Sequence, residues 1–416
     1  MKSIKAISAV ALVATLTLAG CSSGANGGDA GGDVTIEFQT GFAVDDGEMT
    51  LMKELVSEFE ASNQGVTIDL IAAGTDYESD MKVRLAAGTA PDIWNTHGWS
   101  LLRYSEFLLP LEDQPWADDV IDSLDETMRN DAGEIFALPT NIDISGLIYN
   151  ADVLEAAGVD PYGIESWDDF DDAADAVNSD TVSPIYQGGK PLAGALADRV
   201  VSGTFDDDDL AEMLDGSFVT PAYEEMLDLV QDWGDSGYFN PDYSSASRDD
   251  MAKALAQGQA AFMYGPSLLF DNAWSFNPDA NLGFMPIPTT TGAPRYLVGG
   301  ERTAFGISNK TENPDEAKAF IAFLAENDTA LAAASTSPPG LTTATMELGK
   351  LQPSFEKWMT EEEVPVLPYF DRVYLPNGSW ESMQVTTDVV ITGQGTPAQA
   401  TEQMKSTYDS LRGQSE

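Results

Sequence analysis

Apolar and polar residues alternate from Val34 through Ile36 to Phe38, the period-two pattern of a half-buried strand. Leu51, Met52, Leu55, Val56 and Phe59 then recur with helical spacing, and Asn63-Gln64-Gly65 ends that run. Val66, Ile68 and Leu70 form a second alternating stretch. Strand, helix and strand of these lengths predict a right-handed parallel crossover. Met81, Val83, Arg84 and Leu85 mark a further helix, with Gly88 as its C-cap because glycine takes a positive φ without a Cβ penalty. Pro91 forces extended chain, and Ile93-Trp94 enters the sheet. The loops at Gln39 to Gly47 and Asn95 to Trp99 therefore leave the carboxyl ends of strands, where open α/β sheets bind ligands.

Later segments carry the same alternation of sheet and helix. Ser166-Trp167-Asp168-Asp169 is a capping box ahead of a helix that buries Phe170, Ala173, Ala174 and Val177, and Trp167 reads as packing. Pro184 to Lys190 reads as a strand end and a Gly-rich turn. Thr220-Pro221, Asn313-Pro314 and Thr396-Pro397 each set an N-cap residue before a proline at the first helical position. They predict helices over Pro221 to Trp233, Pro314 to Ala325 and Pro397 to Leu411.

The run Gly88-Thr89-Ala90-Pro91-Asp92-Ile93 resembles the Gly-x-Ala-Pro-Asp-[Val/Ile] signature of the family 1 extracellular solute-binding proteins. These are substrate receptors of ATP-driven importers, and the maltodextrin receptors are their best-known members. Further matches follow in order: Leu138-Pro139 through Tyr149-Asn150, Ser166-Trp167-Asp168, Gly258 through Pro266, and Gly299 through Ser308 ahead of Pro314-Asp315-Glu316-Ala317. The resemblance implies a two-lobed, periplasmic-binding-protein-like α/β fold. Each lobe would be a mostly parallel sheet flanked by helices, joined by three hinge crossings, the third near Ser337 to Thr343. Residues 33–142 and 299–345 would form the first lobe, and 143–298 and 346–416 the second. Gly299-Gly300 suits either a hinge or a bulge.

Charge narrows the partners. The chain has 69 acidic and 20 basic residues, a formal net charge of −49, so nucleic acid is a poor partner and none is expected, because phosphate contacts need clustered Lys and Arg. The acidity fits a solvated, self-repelling surface. Residues 1–21 read as a targeting segment: Lys2 and Lys5, an apolar run from Ala6 to Leu18 too short to span a bilayer, then the lipobox Leu18-Ala19-Gly20-Cys21. Cys21 is the expected lipidation site, residues 22–32 a flexible tether, and the outer face of the cell membrane the expected location. Cys21 is also the only cysteine, which rules out an intramolecular disulfide.

Catalytic chemistry is poorly supplied. The single histidine and single cysteine argue against a nucleophilic triad or a zinc site, and no phosphate-binding loop occurs. The expectation is a receptor without enzymatic activity, cofactor or metal. By resemblance the ligand is a carbohydrate, an oligosaccharide, captured by a monomer and passed to permease subunits of an importer. Rings cover sugar faces, and polar groups pair the hydroxyls. Phe42, Trp99, Tyr264, Trp274 and Trp380 are the candidate rings, and Asp45, Asp46, His97, Asp143 and Arg302 the candidate polar contacts. Asp143 sits where maltodextrin receptors place a ligand-binding acid, and Trp380 where relatives place a stacking aromatic. Gly188-Gly189 stands where those receptors supply an aromatic, which sets maltodextrin itself apart. Two alternatives stay open: a receptor of the same fold for a cation such as a polyamine, and an anchored glycoside hydrolase.

Overall fold

The computed structural model of the protein describes residues 34–415, apart from 45, 75–76, 97, 99–100, 336 and 346–347. The expected targeting segment, the expected tether and Cys21 lie outside the described residues. In chain order the strands are β1 (Val34–Gln39), β2 (Val66–Ile71), β3 (Ile93–Asn95), β4 (Ala137–Ser145) and β5 (Leu147–Asn150). They continue with β6 (Ser183–Ile185), β7 (Ala260–Tyr264), β8 (Leu282–Met285), β9 (Leu297–Ile307) and β10 (Val366–Pro368). One sheet runs β10-β9-β3-β1-β2 with β4 paired to β9, and the other runs β6-β7-β5-β8.

The first sheet follows from the alternating pattern. β1 is parallel to β2, with Phe38 opposite Leu70, and parallel to β3, with Phe38 opposite Ile93. Between β1 and β2 the helix Gly47–Ser62 buries Met52, Leu55, Val56 and Phe59, as its spacing predicts. Phe38 meets Phe305 edge-on at 5.0 Å and Phe320 at 5.5 Å, and Phe320 meets Phe59 at 5.0 Å. Each such pair contributes about 0.5–1.5 kcal/mol beyond area burial. Gly88 takes φ 68° and its N–H reaches Leu85 O, as a C-cap requires.

The second lobe has its own core, in which Phe170 packs on Trp167 at 5.6 Å, Trp233 at 5.4 Å and Phe262 at 5.1 Å. Its sheet departs from the mostly parallel expectation. β5 is antiparallel to both β7 and β8, and only β6 and β7 run parallel. The reason is connectivity. β5 is the direct continuation of β4 and enters without a crossover helix, so it runs away from the junction while β7 and β8 return towards it.

The two sheets are joined by chain that passes between them. β4 becomes β5 through Gly146, where a Cβ would collide with Met285 O and stand 2.9 Å from Leu297 Cδ2. β9 returns antiparallel to β4, from Ser145 opposite Val298 to Leu138 opposite Phe305, with its irregularities around Asn141. The segment after Ser337 runs beside them: Ile142 N–H donates to Pro338 O at 2.9 Å and Gly340 N–H to Thr140 O at 3.4 Å. Farther on, Trp358 donates its indole N–H to Phe284 O at 2.7 Å in the second lobe. β10 then pairs parallel with the start of β9, Val366 opposite Leu297. That return to the first sheet differs from the assignment of residues 346–416 to the second lobe, because three residues are too few to leave a periodic signal.

Gly299 and Gly300 form no bulge, since β9 is regular there opposite Ile144 and Asp143. They allow close approach: a Cβ on Gly299 would lie 2.7 Å from Val366 Cγ1, and one on Gly300 2.9 Å from the Tyr369 ring. The proline-led helices occur as Thr220–Asp235, Pro314–Glu326 and Pro397–Ser415. Their caps differ. Thr396 Oγ1 accepts Gln399 N–H at 3.3 Å, the Asn313 side chain makes no capping bond, and Thr220 already lies inside its helix. Among the described residues, no helix is long and apolar enough to cross a membrane.

Candidate functional site

Charged and aromatic groups from four segments meet where the sheets join. Register on β4 and β9 sets Asp143 opposite Gly300 and Ile142 opposite Glu301. The buried helix Ala193–Val200 brings Asp198 and Arg199, and the chain after β10 brings Tyr369, Asp371 and Arg372. Asp143 is 6% exposed. Its Oδ1 accepts the Ser267 N–H at 2.9 Å, its Oδ2 accepts the Tyr369 hydroxyl, and Arg199 Nη2 stands 4.0 Å from Oδ2. Burial alone acts to raise its pKa, but the Arg199 charge and the bonds from Ser267 and Tyr369 outweigh it and hold the carboxyl below the ordinary aspartate value.

The surrounding groups are paired in turn. Arg199 donates to Ala195 O at 3.0 Å and lies 5.5 Å from the Tyr369 ring centroid. Arg372 lies 4.3 Å from the same centroid and donates to Glu301 Oε2 at 2.7 Å. Asp198 Oδ1 accepts the Asp371 N–H at 2.9 Å. Burial, and then repulsion from the Asp371 carboxylate, push Asp198 up to about 7. Charges so deeply desolvated persist only when paired and hydrogen-bonded.

Trp380 opens the helix Trp380–Ile391 beside this cluster and is 36% exposed. Its ring lies against Gly194, where a Cβ would come within 3.1 Å of Cζ2 and Cη2, so glycine is what lets the indole settle on that helix. Gln384 holds the adjoining loop through Pro191 O at 2.8 Å, and Asp388 Oδ1 accepts the Lys190 N–H at 2.9 Å and the Tyr243 hydroxyl at 3.1 Å. Lys190 and Glu381 form an exposed pair, 3.8 Å apart, beside the ring. The result is a supported aromatic face open to solvent.

The other sequence candidates fall elsewhere. Tyr264 is fully buried and stacks on Trp233 at 5.9 Å and 16°, because it ends the central strand β7; it belongs to the core and not to a cleft surface. Trp274 is corrected likewise: its indole N–H is bound to Ala280 O at 3.0 Å and its ring stacks on Phe270 at 5.7 Å, towards the start of β8 and away from the junction. Phe42 is 8% exposed and packs edge-on against Phe305 at 6.2 Å. Asp46 closes its own loop by accepting the Ala43 N–H at 2.7 Å. Arg302 donates to Ser335 O and the Ser337 hydroxyl and reaches Glu48 at 3.3 Å, which fastens the 335–337 segment to β9. Asp143 presents its oxygens to protein donors instead of to the cleft. Asp45, His97 and Trp99 lie outside the described residues.

Sequence reasoning missed Asp198, Arg199, Glu301, Tyr369, Asp371 and Arg372. One signal was present: Asp198-Arg199 interrupts the apolar run Ala193 to Val201, and a charge pair inside a buried helix needs partners. The 369–372 stretch offers no such signal, because its four-residue helix is too short for periodicity.

Residues 45–330 match the model of the family described as "Bacterial extracellular solute-binding protein". The melibiose/raffinose/stachyose-binding protein MelE of Bacillus subtilis is 28% identical over 413 residues, covering 96% of this chain and 95% of MelE. A sugar transporter structure from Bacillus licheniformis in complex with stachyose is 30% identical, covers 91% of this chain and 100% of its own, and superposes with a TM-score of 0.77. An open-conformation binding protein from Bacillus subtilis is 27% identical, covers 92% of this chain and 98% of its own, and gives a TM-score of 0.80.

The raised Asp198 pKa generates a pH prediction. Unfolded aspartate titrates near about 3.9, so between about pH 4 and about pH 7 the folded protein holds a proton that the unfolded chain releases. This group's contribution to stability is full below the unfolded pKa and is lost as pH rises through the folded one. Asp198→Asn, which can still accept the Asp371 N–H, is expected to melt higher than wild type at pH 8 and level with it at pH 4. Melting curves across that range check this, and an equal offset at both pH values contradicts it.

Proposed function

The chain belongs to the bacterial extracellular solute-binding proteins, and from that premise we propose that it captures an oligosaccharide between its lobes and delivers it to the permease of an ABC importer. The observation that carries the reading is Trp380, a large ring fixed from below by Gly194 and left 36% exposed. An apolar face kept open beside a polar, hydrogen-bonding floor suits a ligand with C–H faces and hydroxyl edges. The sugars named for MelE and for the stachyose complex make melibiose, raffinose and stachyose the first ligands to test.

The two alternatives find less support at this site. A polyamine would find the floor carboxylates of Asp143 and Glu301 already paired with Arg199 and Arg372, while acids such as Asp206, Asp207 and Asp208 lie exposed at a helix start. Hydrolysis of a glycoside needs an accessible acid of raised pKa. Of the floor acids with raised values, Asp198 is 2% exposed and bound to the Asp371 N–H, and the half-buried Asp371 stands beside the Arg372 charge, which favours its ionised form.

Two outcomes are expected. Trp380→Ala is expected to leave the unliganded melting temperature nearly unchanged and to weaken sugar binding by about 1–3 kcal/mol, if sugar stacking matches base–aromatic stacking. That is about ten- to a hundredfold in Kd by titration calorimetry. A strongly destabilised variant whose folded fraction binds normally would make Trp380 a core residue. We further propose that Cys21 is the acylated mature N-terminus. Cys21→Ala is then expected to move the protein from the membrane to the soluble fraction, and an unlipidated wild-type terminus by mass spectrometry would contradict it.

A further inference from the structure

We propose that Asn377 is a site of spontaneous deamidation and that its isoaspartyl product displaces the Trp380 ring; the second half rests on the carbohydrate reading of Trp380 above. The turn Pro376-Asn377-Gly378-Ser379 leads directly into the helix Trp380–Ile391. Asparagine is among the thermally labile residues, and a following glycine exposes it most, because no Cβ shields the backbone nitrogen that reacts. Among the described residues no other asparagine precedes a glycine. Asn240, Asn277 and Asn313 precede prolines, which have no N–H to react.

The local structure leaves that reaction free to run. The turn is closed at its ends, where the Ser379 N–H donates to Pro376 O at 3.1 Å and the Ser379 hydroxyl to the same oxygen at 2.7 Å. Asn377 and Gly378 between them are exposed, and neither the Asn377 amide nor the Gly378 N–H makes a hydrogen bond among the described residues. Gly378 takes φ 99°, and a Cβ there would stand at an ordinary 3.6 Å from the Leu411 methyls, so the turn is not walled in. Other asparagines are held. Asn141 is buried with its Nδ2 on the Ser335 hydroxyl at 2.8 Å, and Asn309 gives its Nδ2 to Glu106 O at 2.8 Å.

In the reaction the Gly378 nitrogen gives up its proton to water and attacks Asn377 Cγ. The Cγ–Nδ2 bond breaks, the amide nitrogen leaves as ammonia, and a cyclic imide closes. Water then adds to either imide carbonyl. Opening at Cγ gives aspartate, and opening at the backbone carbonyl gives isoaspartate, whose main chain runs through Cβ and Cγ. The balance is a water consumed, an ammonia released and a negative charge gained. The charge alone is tolerated, because an acid near a helix N-terminus is favourable. The added main-chain carbon is not. It lengthens the turn just before Trp380, whose ring is seated by close contact with Gly194, and the exposed Lys190–Glu381 pair beside it is too weak to hold the helix start in place.

Peptide mapping of the folded full-length protein, incubated warm at mildly alkaline pH and probed with an isoaspartyl methyltransferase, tests the site. Asn377 is expected to convert to aspartate and isoaspartate ahead of the other asparagines among the described residues, and Asn377→Gln, whose longer side chain closes the ring poorly, to lose the isoaspartyl signal from that peptide. An Asn377 that stays intact in the folded protein while it converts in the urea-unfolded chain overturns the site. Titration calorimetry with the tightest of melibiose, raffinose and stachyose tests the displacement, with Trp380→Ala run alongside. The chromatographically resolved isoaspartyl form is expected to bind at least about tenfold more weakly than fresh protein, towards the Trp380→Ala value, and fresh Asn377→Asp to bind as wild type. Unchanged affinity in the isoaspartyl form, where Trp380→Ala does weaken binding, overturns the displacement, and so does a fresh Asn377→Asp as weak as the isoaspartyl form. A folded wild-type protein that binds none of the three sugars overturns the carbohydrate reading and takes the displacement's effect on binding with it, while the mapping still decides the site.

Discussion

A buried carboxylate at the junction of the sheets sets the terms for the rest of the molecule. Asp143 lies on the strand that leaves one lobe for the other, and removal from water forces it to find donors. It takes the Ser267 N–H from the loop after β7, the Tyr369 hydroxyl from the chain after β10, and the Arg199 charge from the Ala193–Val200 helix. Three segments distant in sequence are thereby held to one point. Losing one partner of such a buried set typically costs about 3–5 kcal/mol, because the remaining charge stays uncompensated.

That constraint explains the small residues around it. Tyr369 reaches Asp143 only because Gly300 leaves space for its ring, and β10 pairs with β9 only because Gly299 leaves space for Val366. Gly194, on the helix that carries Arg199, does the same for Trp380. A single helix therefore supplies the counter-charge of the hinge knot and the bed of the exposed indole. Packing ties the presentation of an aromatic face to the geometry of the crossing, and a change at either is felt at the other.

Much of this frame is legible in the chain. The β1-helix-β2 unit, the Gly88 cap and the Ser166 capping box follow from periodicity and backbone chemistry, and the passage from Leu138 to Asn150 from the family resemblance. Trp380 is legible as an aromatic at a helix start, and its half-exposure depends on Gly194, some 186 positions earlier in the chain. Tyr264 and Trp274 mislead because a ring at a strand end or in a short helix has the same sequence signature whether it faces a cleft or a core. The floor cluster is hidden for another reason. Its members come from β4, β9, one apolar helix and an aperiodic four-residue turn of helix, and only tertiary contact reveals which charges pair.

The central claim is that two lobes, hinged at the Asp143 knot, close over a saccharide. Small-angle X-ray scattering of the wild-type protein, with and without a saturating sugar that binds by titration, tests it most directly. The account predicts a smaller radius of gyration in the bound state, with a curve that fits a more closed arrangement of the same two lobes. An unchanged radius at saturation would contradict it.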